Sequence, residues 1–408
     1  MKVIILSIIL LTIFACTPPE MPTPTPPPCV NNCDTFPLTE VWQKPIKSDT
    51  TESNLQEALV IENNILFKKI FDGNREVLQL KDGTTGETIW NWKDETNSID
   101  DGGSITQTRY SDNNILAAAH RHIFNINSAT GITNWHSTVP NPGSGGVQLS
   151  VFNNLAFHCR KNGWPATSAS VTCTNINAPS WDTLFTIYKK GTFYPDPGAP
   201  SIYVNAVGDT ILLNVAIYWN STTQYANLYA FNKTKDTMLW SLDSIDYALS
   251  PNPAPIKNGT LYIAGWTKVL SINIETGQIN WEKENFANAL LDNGLILINN
   301  SLYINTSGND GLYCLDANTG AKLGKSSNYG NVGELKHYNG RIYFTSAGDG
   351  KLHCVNATTM REEWAHLPSN NRIDSRSSFA FAGIAIDTAR GYLYTSDHFF
   401  ALCFKLPE

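Results

Sequence analysis

One pattern returns along this 408-residue chain, and no other feature limits the fold as tightly. Each copy reads as a short apolar–x–apolar run, a polar residue, a turn often closed by Gly, and a second run that ends in Trp. The copies run from Leu78 through Gly86 to Trp90, and from Ile123 through Thr130 and Gly131 to Trp135. Later ones run from Leu228 to Trp240, from Leu270 through Gly277 to Trp281, from Leu312 through Gly320 to Leu323, and from Leu352 to Trp364. A degenerate copy lies between Val171 and Phe185. Trp90 and Trp135 are 45 residues apart, Trp240 and Trp281 are 41 apart, and Trp281 and Trp364 are 83 apart, which is two units. Ahead of each copy stands a turn and an alternating run, beginning at Asn64, Asn114, Asn154, Asp209, Gly259, Asn300, Gly340 and Gly391. That makes eight units.

A unit of this length with four short strands cannot bury both faces alone, so neighbours must stack radially. The expected fold is all-β: an eight-bladed β-propeller of four-stranded blades. Composition agrees, with 11% aromatics, 28 Gly and only 16% charged residues. The eighth unit stops at Phe404, one strand short, while residues 38–42, ending in Trp42, read as a strand cut loose from its unit. Pairing of the two ends closes the ring and removes two exposed edges. Gly at the turns supplies a positive-φ position, and Trp docks between neighbouring blades.

The segments "LYCLDANTGAKL" and "VLSINIETGQINW" resemble the PQQ-like propeller repeat, and the resemblance covers nearly all of the chain after its N-terminus. That family contains pyrroloquinoline-quinone dehydrogenases and a non-enzymatic lipoprotein of outer-membrane β-barrel assembly. The repeat specifies fold and says little of function, because its signature residues are packing devices. The enzymes of the family carry a vicinal Cys pair, a Glu and Asn for Ca²⁺ and an Asp base. No two Cys are adjacent here, so the resemblance implies a protein without catalysis and without a cofactor.

The N-terminus reads as an address. Lys2 precedes an uncharged run, residues 3–15, too short to span a bilayer core of roughly 30 Å as a helix. Ile13-Phe14-Ala15-Cys16 resembles a lipobox, which makes Cys16 the lipidation site. Thr17 rather than Asp after it implies, by Gram-negative precedent, sorting to the outer membrane, facing either the periplasm or the outside. Seven Pro between Thr17 and Pro28 form an extended tether. The expected division is residues 1–15 as lipoprotein signal peptide, 16–35 as lipidated Cys and tether, and 36–408 as propeller.

A net charge of −7 with no basic block excludes a nucleic-acid surface. Cys29 and Cys33 in the tether are either a small loop disulfide or free thiols, and Cys159 and Cys173 fall in adjacent strands where they could pair. Cys314, Cys354 and Cys403 share one slot, with Gln79, Asn125, Ala230 and Ser271 in the other copies, and read as inert buried thiols. His120 and His122 share a strand face but have no third ligand at useful spacing, so no metal site is expected. Asn220 and Asn232 look like turn residues.

Loop length is the better functional clue. Two connections between second and third strands are long: His158 to Ser170, with Trp164, and Tyr218 to Ala226, with Trp219 and Tyr225. Inter-blade segments add the acidic stretch 93–103, Tyr194 within 191–200, and Arg372 and Arg376 within 365–378. These share one face, where rings and Arg either pack the loops down or anchor a partner. The expected protein is a monomeric, membrane-anchored scaffold that holds a protein partner of the envelope. The alternatives are a surface lipoprotein that binds glycan or another ligand and, more remotely, a quinone-dependent dehydrogenase.

Overall fold

The computed structural model describes residues 37–46, 55–71, 75–93, 105–119, 122–138, 148–163, 166–250, 252–284, 286, 290–306, 311–326, 333–372, 375, 377–380 and 382–408. Cys16, the Pro-rich segment, Cys29 and Cys33 lie outside them. Eight antiparallel sheets follow one another along the chain. Blade 1 is Leu55–Ile61, Asn64–Phe71, Arg75–Asp82 and Thr88–Trp92. Blade 2 is Ile105–Ser111, Asn114–Ala119, His122–Asn127 and Thr133–Thr138. Blade 3 is Gln148–Phe152, Leu155–Asn162, Ser168–Asn175 and Ala178–Tyr188. Blade 4 has a first strand in two pieces, Tyr194–Pro197 and Ser201–Val204, then Thr210–Trp219, Gln224–Asn232 and Thr237–Asp246. Blade 5 is Ile256–Lys257, Thr260–Ala264, Val269–Asn273 and Ile279–Lys283. Blade 6 is Leu290–Ile298, Ser301–Thr306, Leu312–Asp316 and Lys322–Lys325, and blade 7 is Lys336–Tyr338, Arg341–Thr345, Leu352–Asn356 and Glu362–His366. Blade 8 is Ala385–Asp387, Tyr392–Ser396 and Phe400–Lys405, completed by Thr39–Pro45 from the other end of the chain.

The eight-bladed propeller and its closure are as the repeat predicts. Thr39 pairs with Lys405 and Trp42 with Cys403, so the N-terminal strand is the fourth strand of blade 8. Trp42 Nε1 and Tyr394 Oη both donate to the Gly83 carbonyl of blade 1, each at 3.0 Å. Arg390 spans the same junction, donating to Asn63 O at 2.7 Å and Thr84 Oγ1 at 3.1 Å.

Among the described residues, eight buried apolar clusters form, one at each seam between blades. Second and third strands are therefore covered on both faces, which is why they carry unbroken apolar runs such as Ile115 to Ala119. Their ends are set locally. An Asp or Asn closing the third strand accepts hydrogen bonds from the turn, as Asp316 Oδ1 does from Asn318 N (2.9 Å), Thr319 N (2.8 Å) and Thr319 Oγ1 (2.9 Å). The turn glycine follows at φ near +70°, and the Trp of the preceding blade lies on it. A Cβ on Gly86, Gly131, Gly277 or Gly320 would come within 2.6–2.7 Å of Trp42, Trp90, Trp240 or Trp281. Each of these indoles donates to the carbonyl three residues before the glycine: Gly83, Ser128, Ile274 and Ala317. Trp135 makes the same bond to Ile176 O in the degenerate blade 3.

Two alignments of the repeat need correction. The residue opposite Trp90 is Leu80, not Gln79, so the slot that holds Cys314, Cys354 and Cys403 holds Leu in blade 1 and is not restricted to small side chains. The blade 6 residue in the Trp position is Gly324, opposite Cys314, rather than Leu323. Both placements follow a constant spacing: the slot stands ten residues before the Trp position, as Asn125 does before Trp135 and Cys354 before Trp364, which sets Leu80 against Trp90 and Cys314 against Gly324.

Candidate functional site

In such a ring, the connections between second and third strands share a face with the blade-to-blade connections; the other turns occupy the opposite face. Blade 4 stands apart on the first face, with second and third strands of 10 and 9 residues, while blade 3 matches blade 1 at 8 residues each. The segments expected there as long loops are continuous ladders. Arg160 pairs with Ser170 and Asn162 with Ser168, while Tyr218 pairs with Tyr225 and Trp219 with Gln224. The alternating pattern simply runs on, and Asn220 closes the second hairpin by accepting from Thr222 N and Thr223 N at 2.9 Å each. Segment 191–200 is also strand in part. Tyr194–Pro197 pairs with the far end of Thr210–Trp219, and Ser201–Val204 with its near end. Buried Asn214 spans the break, donating to Gly198 O at 2.8 Å.

This extension separates its rings by strand alternation. Tyr194 and Trp219 face each other in register, with centroids 5.6 Å apart. Lys161 of blade 3 lies 5.7 Å over the Trp219 ring and pairs with Asp196 at 2.6 Å. On the other side, Tyr218 stacks on Tyr225 at 5.1 Å, and Phe193 packs against Tyr225 at 4.9 Å. Lys190 lies 5.5 Å over Tyr218 and binds Asp243 at 2.9 Å. A hydrogen-bonded chain runs from Asn227 Nδ2 to Tyr229 Oη (3.1 Å), on to Tyr218 Oη (2.9 Å) and then to Tyr188 O (3.1 Å). Burial and the Tyr229 hydroxyl push the Tyr218 phenol well above its ordinary pKa. Burial pulls the Lys190 amine down, but its bond to Asp243 and the surrounding negative charge outweigh that and hold its pKa high.

Of the residues singled out in the sequence, Tyr194 and Trp219 come together, and Tyr225 lies on the opposite side of the same sheet. Trp164 and Arg376 lie outside the described residues. Arg372 ends a short 3-10 turn, Ser369–Arg372. Sequence reasoning passed over Trp266 and Tyr247, exposed at 50% and 43% with ring centroids 5.7 Å apart. Asp246, at the end of blade 4, fixes them by accepting from Tyr247 N (2.6 Å), Thr267 N (3.1 Å) and Thr267 Oγ1 (2.9 Å). A Trp outside the repeat position, in a short turn, was the available signal. The face offers rings and paired charges that can hold a ligand or a partner; Ser378 Oγ lies 3.3 Å from His398 Nε2, and among the described residues no carboxylate bonds His398 Nδ1 to complete a triad.

The five described cysteines are free and buried. Cys159 and Cys173 are not joined; Asn214 Nδ2 lies 3.1 Å from Cys159 Sγ. Burial pushes Cys354 and Cys403 up to about 12 and Cys173 to about 11, so these thiols stay protonated and inert. His122 is buried with Nδ1 3.3 Å from Thr138 Oγ1, while His120 lies outside the described residues.

Comparison with known proteins agrees with this architecture. The family model described as outer membrane protein assembly factor BamB matches residues 224–323. The crystal structure of BamB from Moraxella catarrhalis superposes with a TM-score of 0.62 at 11% identity, covering 90% of this chain and 100% of that one. Quinohemoprotein alcohol dehydrogenase from Comamonas testosteroni gives 0.63 at 12%, covering 91% and 78%. The computationally designed Ika8 protein gives 0.63 at 12%, covering 87% and 97%. No curated protein sequence matches. The chain thus carries a PQQ-like β-propeller, similar to BamB in fold, and the same fold serves both an assembly factor and dehydrogenases.

Among the described residues, those near the axis do not fit a Ca²⁺-held quinone. A cavity of about 380 Å³ between the first strands of blades 2 to 5 is lined by Arg109, Ser150, Phe152, Ser201, Pro253 and Ile256 among others, with no carboxylate. Beside it Gln107 is held by other amides, donating to Gln148 Oε1 at 2.7 Å and Asn252 Oδ1 at 3.2 Å. No adjacent cysteines exist in the chain.

Proposed function

We propose that this chain is a non-catalytic protein-binding scaffold, anchored in the outer membrane by lipid on Cys16 and holding an envelope protein against the extended face of blades 3 to 5. The observation that carries the reading is the break in repeat regularity. Among the described residues only blade 4 splits its first strand, and its long hairpin brings Tyr194 against Trp219 on the face that also carries the exposed Tyr247–Trp266 pair. Rigid rings on strands lose little entropy on binding and serve as interface anchors. The match to a BamB model over residues 224–323 supports a role in envelope assembly. The axial residues speak against the dehydrogenase reading.

A photo-crosslinking residue at position 219 or 266 in intact cells tests this, with position 132 on the opposite face as control. One envelope protein captured from 219 and 266, but not from 132, is the expected result. Equal capture from all three positions, or none, overturns it. A glycan ligand would instead give no protein adduct but saturation of Trp fluorescence by cell-surface polysaccharide.

A further inference from the structure

Five seams share one device: an indole from the fourth strand of one blade seated on the next and bonded to a turn carbonyl. Between blades 6 and 7 the ring is missing, because its position is Gly324. The turn position that is Gly in blades 1, 2, 5 and 6 is Met360, held at φ +56°. The two changes compensate only in part. The Met360 side chain lies against Gly324, where a Cβ would meet its Cγ at 2.7 Å. A cavity of about 470 Å³ remains, lined by Ser301, Tyr303, Cys314, Leu323, His337 and Met360 among others. Its size falls within the usual range of small-ligand sites.

The acceptor is still in place. Ala357 O stands three residues before Met360, as Gly83 O stands before Gly86. At the closing seam Gly83 O takes both Tyr394 Oη and Trp42 Nε1. Ala357 O takes Tyr303 Oη at 2.9 Å, the counterpart of the first bond, and keeps the lone pair that the indole would use. Glycine inside a strand and methionine at positive φ are both locally unfavourable. Together they open a seat that an indole fills at five other seams, and such breaks of local rule concentrate at functional sites.

We infer that the seam between blades 6 and 7 is a binding site for a planar aromatic ligand of the indole class. The ring lies against the Met360 thioether, and its N–H donates to Ala357 O. This site is on the face opposite the proposed partner surface and stands independently of it.

The test is ligand-observed saturation-transfer NMR with indole and the folded propeller. Strong transfer is expected, together with affinity about tenfold weaker for N-methylindole, which lacks the donor. Gly324→Trp with Met360→Gly, which rebuilds the seated indole, should abolish transfer. Ser301→Phe, which narrows the cavity from blade 6 without touching the turn, should do the same if the double variant fails to fold. Competition by N-acetyltryptophanamide as strong as by indole assigns the seat to a partner's Trp side chain, and weaker competition assigns it to a free indole. No transfer to the wild-type chain, transfer unchanged in the filled variants, or equal affinity for N-methylindole overturns the inference.

Discussion

Blades 5 and 8 and blades 3 and 4 solve the same packing problem with different amounts of freedom. In blade 5, short strands, a turn glycine and an indole repeat the common plan. The first strand is only Ile256–Lys257, and Trp281 sits on Gly320. In blades 3 and 4 the strands reach 10 or 11 residues, and the extra length carries rings and lysines instead of turn signals. The lower part of each blade is bound to its neighbours and tolerates little; the upper part projects past them and is free to vary. A propeller of this kind holds its stability in the seams, and the overhang is where the proposed specificity would lie.

The sharpest way to break that division is at the closing seam. Deleting residues 36–42 should cost at least about 3–5 kcal/mol, the range for a single buried Trp, because Trp42 is 6% exposed and bonded across the junction. Deleting 17–28 should leave the urea midpoint unchanged, and equal midpoints for the two deletions would refute closure as a source of stability. A smaller contrast separates two glycines, both at positive φ. Gly277→Ala drives a Cβ to 2.7 Å from Trp240 and should cost about 2–4 kcal/mol. Gly191→Ala in the overhang meets nothing within 4 Å and should cost about 1–2 kcal/mol, from backbone strain alone.

The root of the overhang has its own pH response. Burial, then the nearby Arg160 charge, lowers His158 to about 3, and its ring lies 4.4 Å from Trp181. A histidine held neutral when folded contributes its full stability above the unfolded pKa, near 6.5. That contribution falls as the unfolded chain takes up the proton, with a slope of about 1.4 kcal/mol per pH unit down to about 3. Urea midpoints of the wild type and His158→Asn between pH 7 and 4 should converge as pH falls, and parallel curves would contradict this. The least effect on folding should come from Trp266→Ala, half exposed, within about 0.5–1 kcal/mol of wild type. That substitution should nonetheless remove the adduct captured from position 219, and an undiminished adduct would take Trp266 out of the interface.

Much of the ring was legible because its signals are local. Asn127 or Asp316 followed by Thr and Gly fixes a turn from within four residues, and the orphan Trp42 announced a missing strand. Placement of the candidate residues was less legible. Tyr194 looked like a loop residue because its strand is four residues long and its partner, Trp219, lies 25 residues on. Tyr225 reads the same as Trp219 in sequence, yet one stacks against Tyr218 and the other faces Tyr194.

By itself the sequence determined the number of blades, the closure and the turn chemistry, since each is written within one repeat or in the mismatch between the two ends. Only the tertiary structure decided which rings are packed and which stand free, that Gly324 leaves an indole seat open, and that Ala357 still offers its carbonyl there. Those outcomes depend on what the neighbouring blade places opposite a residue, which lies outside the repeat that carries it.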